Sequence, residues 1–326
     1  MGSEMCIRDS AYDGEKGAQY LVGPQVASYS GVPEDASPPP PSPPPAISPS
    51  PLPPPSPYQP TGDFMTPTLS SWMNTSAHEL SLARYTALLD MLTSTVDFRS
   101  TNDARVVHSS GGAAGGIVSE GQGYGLMLAG LLAAAIPSSH PSRTFVLQTG
   151  LELFLGWRLM CELTENNSCQ ETLMCGENDT HECLPSWKFD DAVTAEIGTG
   201  SAPDGDEDAI MGMLLLVLAT RDDDPRPPWW TELAQWTYKS CKSFLFHNSL
   251  PHSTLMASNG EPLRILRLGS CWGGWDCNNP SYHAPGHYRA FRDYMVDFAP
   301  TFGSNAAEGA SPVSYTHLRA HETDSY

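Results

Sequence analysis

Read for the spacing of its apolar positions, the chain falls into six helical stretches joined by long polar connections. From Ser76 to Leu92 apolar residues recur three or four apart, so Leu80, Ala83, Leu88 and either Met91 or Leu92 are expected to line one face. Further helices are predicted after Ser119, around Arg143 to Leu159, from about Asp206 to Thr220, around Trp229 to Phe246, and from Pro285 to Phe298. The stretch ARVVHSSGGAAGGIVSEG, beginning at Ala104, sets two short β-branched pieces about a glycine-rich turn and predicts a small hairpin or an irregular loop. No run alternates long enough to make a sheet, and the pattern predicts an all-α fold with long loops. The helices after Glu120 and after Asp208 are apolar nearly all round, so each is expected to be covered on every side. Amphipathic helices such as 143–159 would supply that cover, as an outer ring around an inner one.

Composition changes the picture at the two ends. Half of the 30 prolines lie between Pro33 and Pro60, in PPPPSPPPAISPSPLPPPSP, a stretch that favours extended polyproline II and builds no core. The expected organisation is an unstructured start over 1–32, a proline-rich linker over 33–60, a globular domain over 61–310 and a tail over 311–326. EMCIRDS at the start and VSYTHLRAHETDSY at the finish resemble translated adapter sequence and fit no periodic pattern, so they stand outside the fold. A formal net charge of −20 with only 17 Lys and Arg argues against a nucleic-acid partner. LMLAGLLAAAI and AIMGMLLLVLA are shorter than the ~20 residues that cross a bilayer, and read as buried helices.

Eight cysteines include a series at Cys161, Cys169, Cys175 and Cys183 and a close pair at Cys271 and Cys277. In a polar, insertion-like segment this predicts disulfide stapling in an oxidising compartment. A zinc site using His181 is the weaker reading, because no Cys-x-x-Cys spacing supports it. Sequons at Asn74, Asn166 and Asn178 agree with secretion.

The candidate chemistry begins at VSEGQGYGLMLAG, residues 118–130. Ser119 followed by Gln122 reads as a capping box, which places Glu120 in the first helical turn. Gly121, Gly123, Gly125 and Gly130 each cost ~1 kcal/mol in a helix interior, and close approach of a neighbouring helix or of a ligand would offset that loss. In the plainer reading Glu120 only complements the helix dipole. A second acidic cluster, Asp204, Asp206, Glu207 and Asp208, opens the other apolar helix in GTGSAPDGDEDAIMGMLLL. There too the plain reading is capping, and the spacing of a calcium loop is absent. Two acidic sites that open parallel inner helices would meet at one end of the molecule. Such a pair suits glycosidic hydrolysis, in which one carboxylic acid protonates the leaving oxygen while a carboxylate manages water or the charge developing on the sugar. Tyr124, Trp187, Trp272, Trp275, Tyr282 and Tyr288 flank these motifs and offer flat faces to a sugar.

Three ordered blocks carry a resemblance: SEGQGYG at 119–125, LPSWKFDD at 184–191 leading into SAPDGDEDAIMGMLLL at 201–216, and NPSYHAPGHYRAF at 279–291. Together they resemble the signature blocks of glycoside hydrolase family 8, over about Trp72 to Phe298. The resemblance implies an (α/α)6 barrel of the six-hairpin glycosidase type, an inverting endo-acting mechanism and no cofactor. It also implies a secreted monomer acting on β-1,4-linked polysaccharide, cellulose or another β-glucan first, with chitosan or xylan as alternatives. By motif, Glu120 is similar to the general acid, and either Asp204 or Asp206 to the carboxylate that stabilises the sugar at the cleavage point. Trp187 is similar to a substrate-stacking tryptophan, Tyr282 to the tyrosine that closes on the reacting sugar or its water, and Tyr124 joins them as a substrate-binding ring. Pro203 in place of a small hydroxyl residue, and the Ala209-Ile210 order, mark a divergent branch. In many members the base is an aspartate well downstream of the NPSY block, beyond the end of this chain. The chain is therefore expected to be incomplete on its C-terminal side, and inactive and poorly soluble alone, with Asp276 as the substitute base or substrate-binding residue. The alternative from another class is a non-catalytic extracellular glycan-binding or wall-associated protein on the same scaffold.

Overall fold

The structure, a computed structural model, describes residues 75–99, 102–109, 115–164, 174–175, 181–256, 262–275 and 279–302. The expected start, linker and tail, the three sequons, Cys169, Cys277 and Asp276 lie outside the described residues. Among those described, six α-helices dominate: α1 (Thr75–Leu92), α2 (Ser119–Ala135), α3 (Arg143–Leu163), α4 (Pro203–Ala219), α5 (Trp230–His247) and α6 (Pro285–Phe302). No helix among them is long and apolar enough to cross a membrane.

Short antiparallel strands amend the all-α reading. β1 (Thr93–Phe98) starts where α1 stops, since the β-branched run TSTV resists helix. It pairs with β2 (Asn102–Val107) in a register from Thr93 opposite Val107 to Phe98 opposite Asn102. The ARVV piece therefore pairs backwards, not across the glycines, which are crossed by a single bridge from His108 to Ile117. β3 (Ile117–Val118) instead joins β6 (Lys188–Phe189) and β7 (Glu196–Gly198) in a three-stranded sheet, with β6 in the middle. β4 (Met174–Cys175) pairs with β5 (His181–Glu182), and β8 (Ser249–Met256) with β9 (Pro262–Leu266).

The inward face of α1 also differs from the expected one. His78, Leu82, Tyr85 and Leu89 are buried, whereas Leu80, Ala83, Leu88 and Met91 are exposed, Met91 to 73%. The helix is rotated because the aromatic Tyr85 takes the core position and hydrogen-bonds Thr149 Oγ1 on α3 at 3.0 Å. Counting aliphatic residues alone misses that stripe.

The two apolar helices form the centre. α4 is buried from Ala209 to Val217 except at Met211. α2 is less completely covered than expected: Tyr124, Leu128 and Leu131, on one face, are 50%, 40% and 39% exposed. The seam between α2 and α4 is glycine on both sides. A Cβ placed on Gly123 would lie 2.5 Å from the Gly205 carbonyl oxygen, and one on Gly130 would lie 2.5 Å from that of Gly212. Gly123 pairs with Gly205, and seven residues on, Gly130 pairs with Gly212, so the helices run parallel and begin at the same end.

Cysteine usage is only partly disulfide. Cys175 and Cys183 are bonded, with Cα atoms 5.0 Å apart, which ties β4 to the residue after β5. Their thiols are thus not metal ligands, and among the described residues no group of three His, Cys, Asp or Glu stands as a metal site. Cys271 is also disulfide-bonded. Cys161, by contrast, is a free, buried thiol in the core beside Leu184 and Trp157, and so leaves the expected series; Cys241 is free and buried as well. Closing a loop of this length restricts the unfolded chain by about 2–3 kcal/mol. Changing both Cys175 and Cys183 to Ser is expected to lower unfolding free energy by roughly that amount, read as a lower denaturation midpoint; an unchanged midpoint would refute it.

Candidate active site

The site is assembled by the Gly123–Gly205 contact. A Cβ on Gly205 would stand 2.6 Å from the Glu120 backbone nitrogen, so the first turns of α2 and α4 touch backbone to backbone. Asp204 and Glu120 therefore sit at adjoining helix starts, near enough for the charge of Glu120 to act on the Asp204 carboxyl.

Local structure at the start of α2 differs from a capping box. Val118 is the N-cap residue, and no side chain caps the helix. The Ser119 amide instead donates to the carbonyl of Trp187, 2.9 Å away, just before β6. Gln122 turns inward: its Oε1 accepts from the Val107 amide at 3.0 Å, and its Nε2 donates to the carbonyls of Arg105 at 2.9 Å and Leu153 at 2.8 Å. It stitches α2 to β2 and α3, and the strand pairing of β3 with β6 brings the Trp187 backbone to Ser119, the residue before Glu120.

Glu120 accepts a 2.7 Å hydrogen bond on Oε1 from the hydroxyl of Tyr124, one turn along α2. That bond is the main reason the Tyr124 phenol is raised above its usual range, with burial and the charges of Glu120, Asp208 and Asp204 adding to it. Glu120 also forms one wall of a cavity of about 410 Å³ shared with Tyr85, Leu88, Val107, Tyr124 and Leu128.

Pro203 occupies the first position of α4, where its missing N–H costs nothing. The three aspartates that follow have different surroundings. Asp204 is half-buried and hydrogen-bonded by the Tyr282 hydroxyl. Its carboxyl is raised by burial first, and the charge of Glu120 adds to this against the lowering effect of the Gly205 amide and Tyr282. Asp208, one turn on, is pushed up to about 6 by burial, then by Asp204 and Glu120, and its Oδ1 lies 3.8 Å from His287 Nδ1. Asp206 points the other way and is 0% exposed. Asn248 Nδ2 donates to its Oδ2 at 2.7 Å while Ser201 Oγ donates to Asn248 Oδ1 at 3.0 Å, and burial raises the Asp206 carboxyl well above its ordinary range. Of these two aspartates, Asp204 feels the charge of Glu120, whereas Asp206 anchors α4 to Asn248 at the entry to β8.

The aromatic residues divide in the same way. Tyr124 and Tyr282 border the carboxylates. Trp187 is half-buried, lies against Gly198 and carries the Lys188 ammonium 5.7 Å above its ring. Trp272 is packed on Gly200 and Gly269, and Trp275 meets the His252 ring edge-on at 4.5 Å. Tyr288 is buried against Phe244 and offers no face to a ligand. Asp208 and His287 are the additions to the expected set. The signal for Asp208 was present, since residues 204 and 208 share a helix face by spacing alone.

No family model and no curated protein sequence matches the chain. Among solved structures, the chain is similar to an apo β-1,3-1,4-glucanase from Paenibacillus sp. X4, at 19% identity over 69% of this chain and 49% of that one, with a TM-score of 0.43. It is also similar to a mutant of Rex8A from Paenibacillus barcinonensis complexed with xylose, at 17% identity over 80% of this chain and 58% of that one, with a TM-score of 0.44. A mutant of a reducing-end-xylose releasing exo-oligoxylanase aligns at 15% identity over 74% of this chain and 54% of that one, with a TM-score of 0.41. The chain thus spans about half to three-fifths of the length of these structures. Likenesses this remote leave function to be argued from the site residues.

Proposed function

We propose that the chain belongs to a secreted, inverting, endo-acting glycoside hydrolase of the family 8 type that cleaves β-1,4-linked polysaccharide, with Glu120 as its proton donor. The observation that carries this reading is the contact of two helix starts that sets Glu120 against Asp204 with Tyr124 and Tyr282 at hand. Glu120 acts as general acid to the departing oxygen. Asp204, held by the Tyr282 hydroxyl, supports the positive charge that develops at the anomeric carbon. Trp187 and Tyr124 offer ring faces to the sugars on either side. The parallel central pair α2 and α4, with α3, α5 and α6 packed around it, suits the inner and outer rings of an (α/α)6 barrel. The disulfide suits an oxidising compartment.

An inverting enzyme also needs a carboxylate that activates water on the opposite face of the sugar. Azide needs no deprotonation, so it can replace base and water together while the acid still works. The test is therefore cleavage of β-glucan, xylan and chitosan with and without sodium azide. Release of reducing ends, or of a glycosyl azide when azide is added, supports the reading. Oligosaccharide binding with no cleavage under either condition would favour a glycan-binding protein instead.

A further inference from the structure

Behind the paired carboxylates lies a second acidic group that the reaction scheme does not use. Glu207 is buried on α4 three residues after Asp204, and its Oε2 has no hydrogen-bond partner. Its side chain is hydrogen-bonded to the hydroxyl of Tyr288, which is itself buried on α6. That hydroxyl has two more partners, both backbone. The Ala284 amide donates to it at 3.0 Å, and it donates to the carbonyl of Tyr282 at 3.0 Å.

A phenol has one proton and two acceptor sites. Here the proton goes to the Tyr282 carbonyl and one acceptor site to the Ala284 amide. The remaining site can be filled only by a donor, so the Glu207 carboxyl completes the set when it carries a proton. If Glu207 ionises, the single phenol proton is drawn to the carboxylate and the Tyr282 carbonyl loses its donor. The Tyr282 side chain is the one that reaches Asp204.

We propose that Glu207 is a proton-bearing carboxyl that, through the Tyr288 hydroxyl, fixes the backbone at Tyr282 and so the phenol that reaches Asp204; Glu207 and Tyr288 are positioning residues of this centre. The inference rests on the glycosidase reading for its effect on turnover, and on geometry alone for the linkage. Burial is the largest influence on Glu207 and raises the carboxyl to about 9; the Tyr288 hydroxyl on α6 acts against it, and the charges of Asp208, Asp204 and Asp206 on its own helix add to it.

Two measurements test it on the whole chain. Tyr282-His283 is the only Tyr-His step in the sequence, so labelling tyrosine carbonyls with ¹³C and histidine nitrogens with ¹⁵N gives one resolvable pair at that peptide. Its carbonyl shift is expected to step as pH passes through about 9. Glu207→Gln, whose amide N–H donates in place of the acid proton, should abolish the step, and Tyr288→Phe should abolish it as well. In the second measurement, Tyr288→Phe and Glu207→Ala lower kcat about tenfold with little change in KM, as expected when a group that supports the transition state is displaced and ground-state binding is not. Glu207→Gln restores kcat near neutral pH and removes the alkaline fall in activity. A carbonyl step that persists in Glu207→Gln, or kcat unchanged in both Tyr288→Phe and Glu207→Ala, overturns the proposal. A chain that shows the step but cleaves nothing with or without azide refutes the glycosidase reading while leaving the linkage in place.

Discussion

Where the parent chain cleaves the polysaccharide, with water or with azide as the nucleophile, Glu120→Gln is expected to reduce that cleavage by about 10³-fold while leaving the fold intact. General acids contribute on the order of 10²–10⁴ to such reactions, and the leaving oxygen of a sugar chain is a poor departing group without a proton. The amide keeps the shape of the side chain and still accepts from Tyr124, so the loss falls on proton transfer and not on packing. The decisive comparison is with an aryl glycoside of the same oligosaccharide. A dinitrophenolate leaves without protonation, so the variant should cleave that substrate within about tenfold of the parent chain. If Glu120 only complements the dipole of α2, removing its charge costs about 0.3–1 kcal/mol of stability, and the two substrates should respond alike. Equal loss on both would remove Glu120 from the role of acid.

Much of this arrangement can be read from the sequence, but unevenly. All six helices fall close to where the pattern of apolar residues puts them, because each is a long run that either repeats on one face or, in α2 and α4, is apolar nearly all round. The strands were harder to see: six residues such as TSTVDF alternate too briefly to stand out, and β2 chooses its partner by proximity to the end of α1, not by composition. The face of α1 was misplaced because Tyr85 buries its ring and satisfies its hydroxyl on Thr149, a pairing 64 residues away that no local pattern encodes. Ser119 and Gln122 have the right spacing for a capping box, yet tertiary partners outbid the local one: the Trp187 carbonyl takes the Ser119 amide, and Gln122 is used up by β2 and α3. The choice between Asp204 and Asp206 was invisible for a similar reason. Both sit in the same helical turn, and only the position of Asn248 and Ser201 shows which one is drawn into the interior.

Gly205→Ala should be among the most damaging single-methyl changes in the chain. In a helix interior alanine is favoured over glycine by about 1 kcal/mol, so sequence alone predicts a gain. The new Cβ, however, would lie 2.6 Å from both the Glu120 nitrogen and the Ser119 carbonyl carbon, and these are backbone atoms that no rotamer change can move aside. The helices must separate at the point where Glu120 and Asp204 are brought together. Overpacking of this kind costs about 1–3 kcal/mol or more, which exceeds the propensity gain, and the shift should also reduce turnover, because a displacement near 1 Å at reacting groups costs roughly a hundredfold. Gly121→Ala is the opposite case on the same turn of α2. Its nearest neighbours would be Val107 and Val118 methyls at 3.6 and 3.7 Å, an ordinary contact, so this variant should be neutral or gain up to about 1 kcal/mol. Denaturant unfolding of the two variants side by side gives the sign of each. Equal effects would mean that the glycine seam between α2 and α4 does not set the helix separation, and the apposition of the two carboxylates would then need another cause.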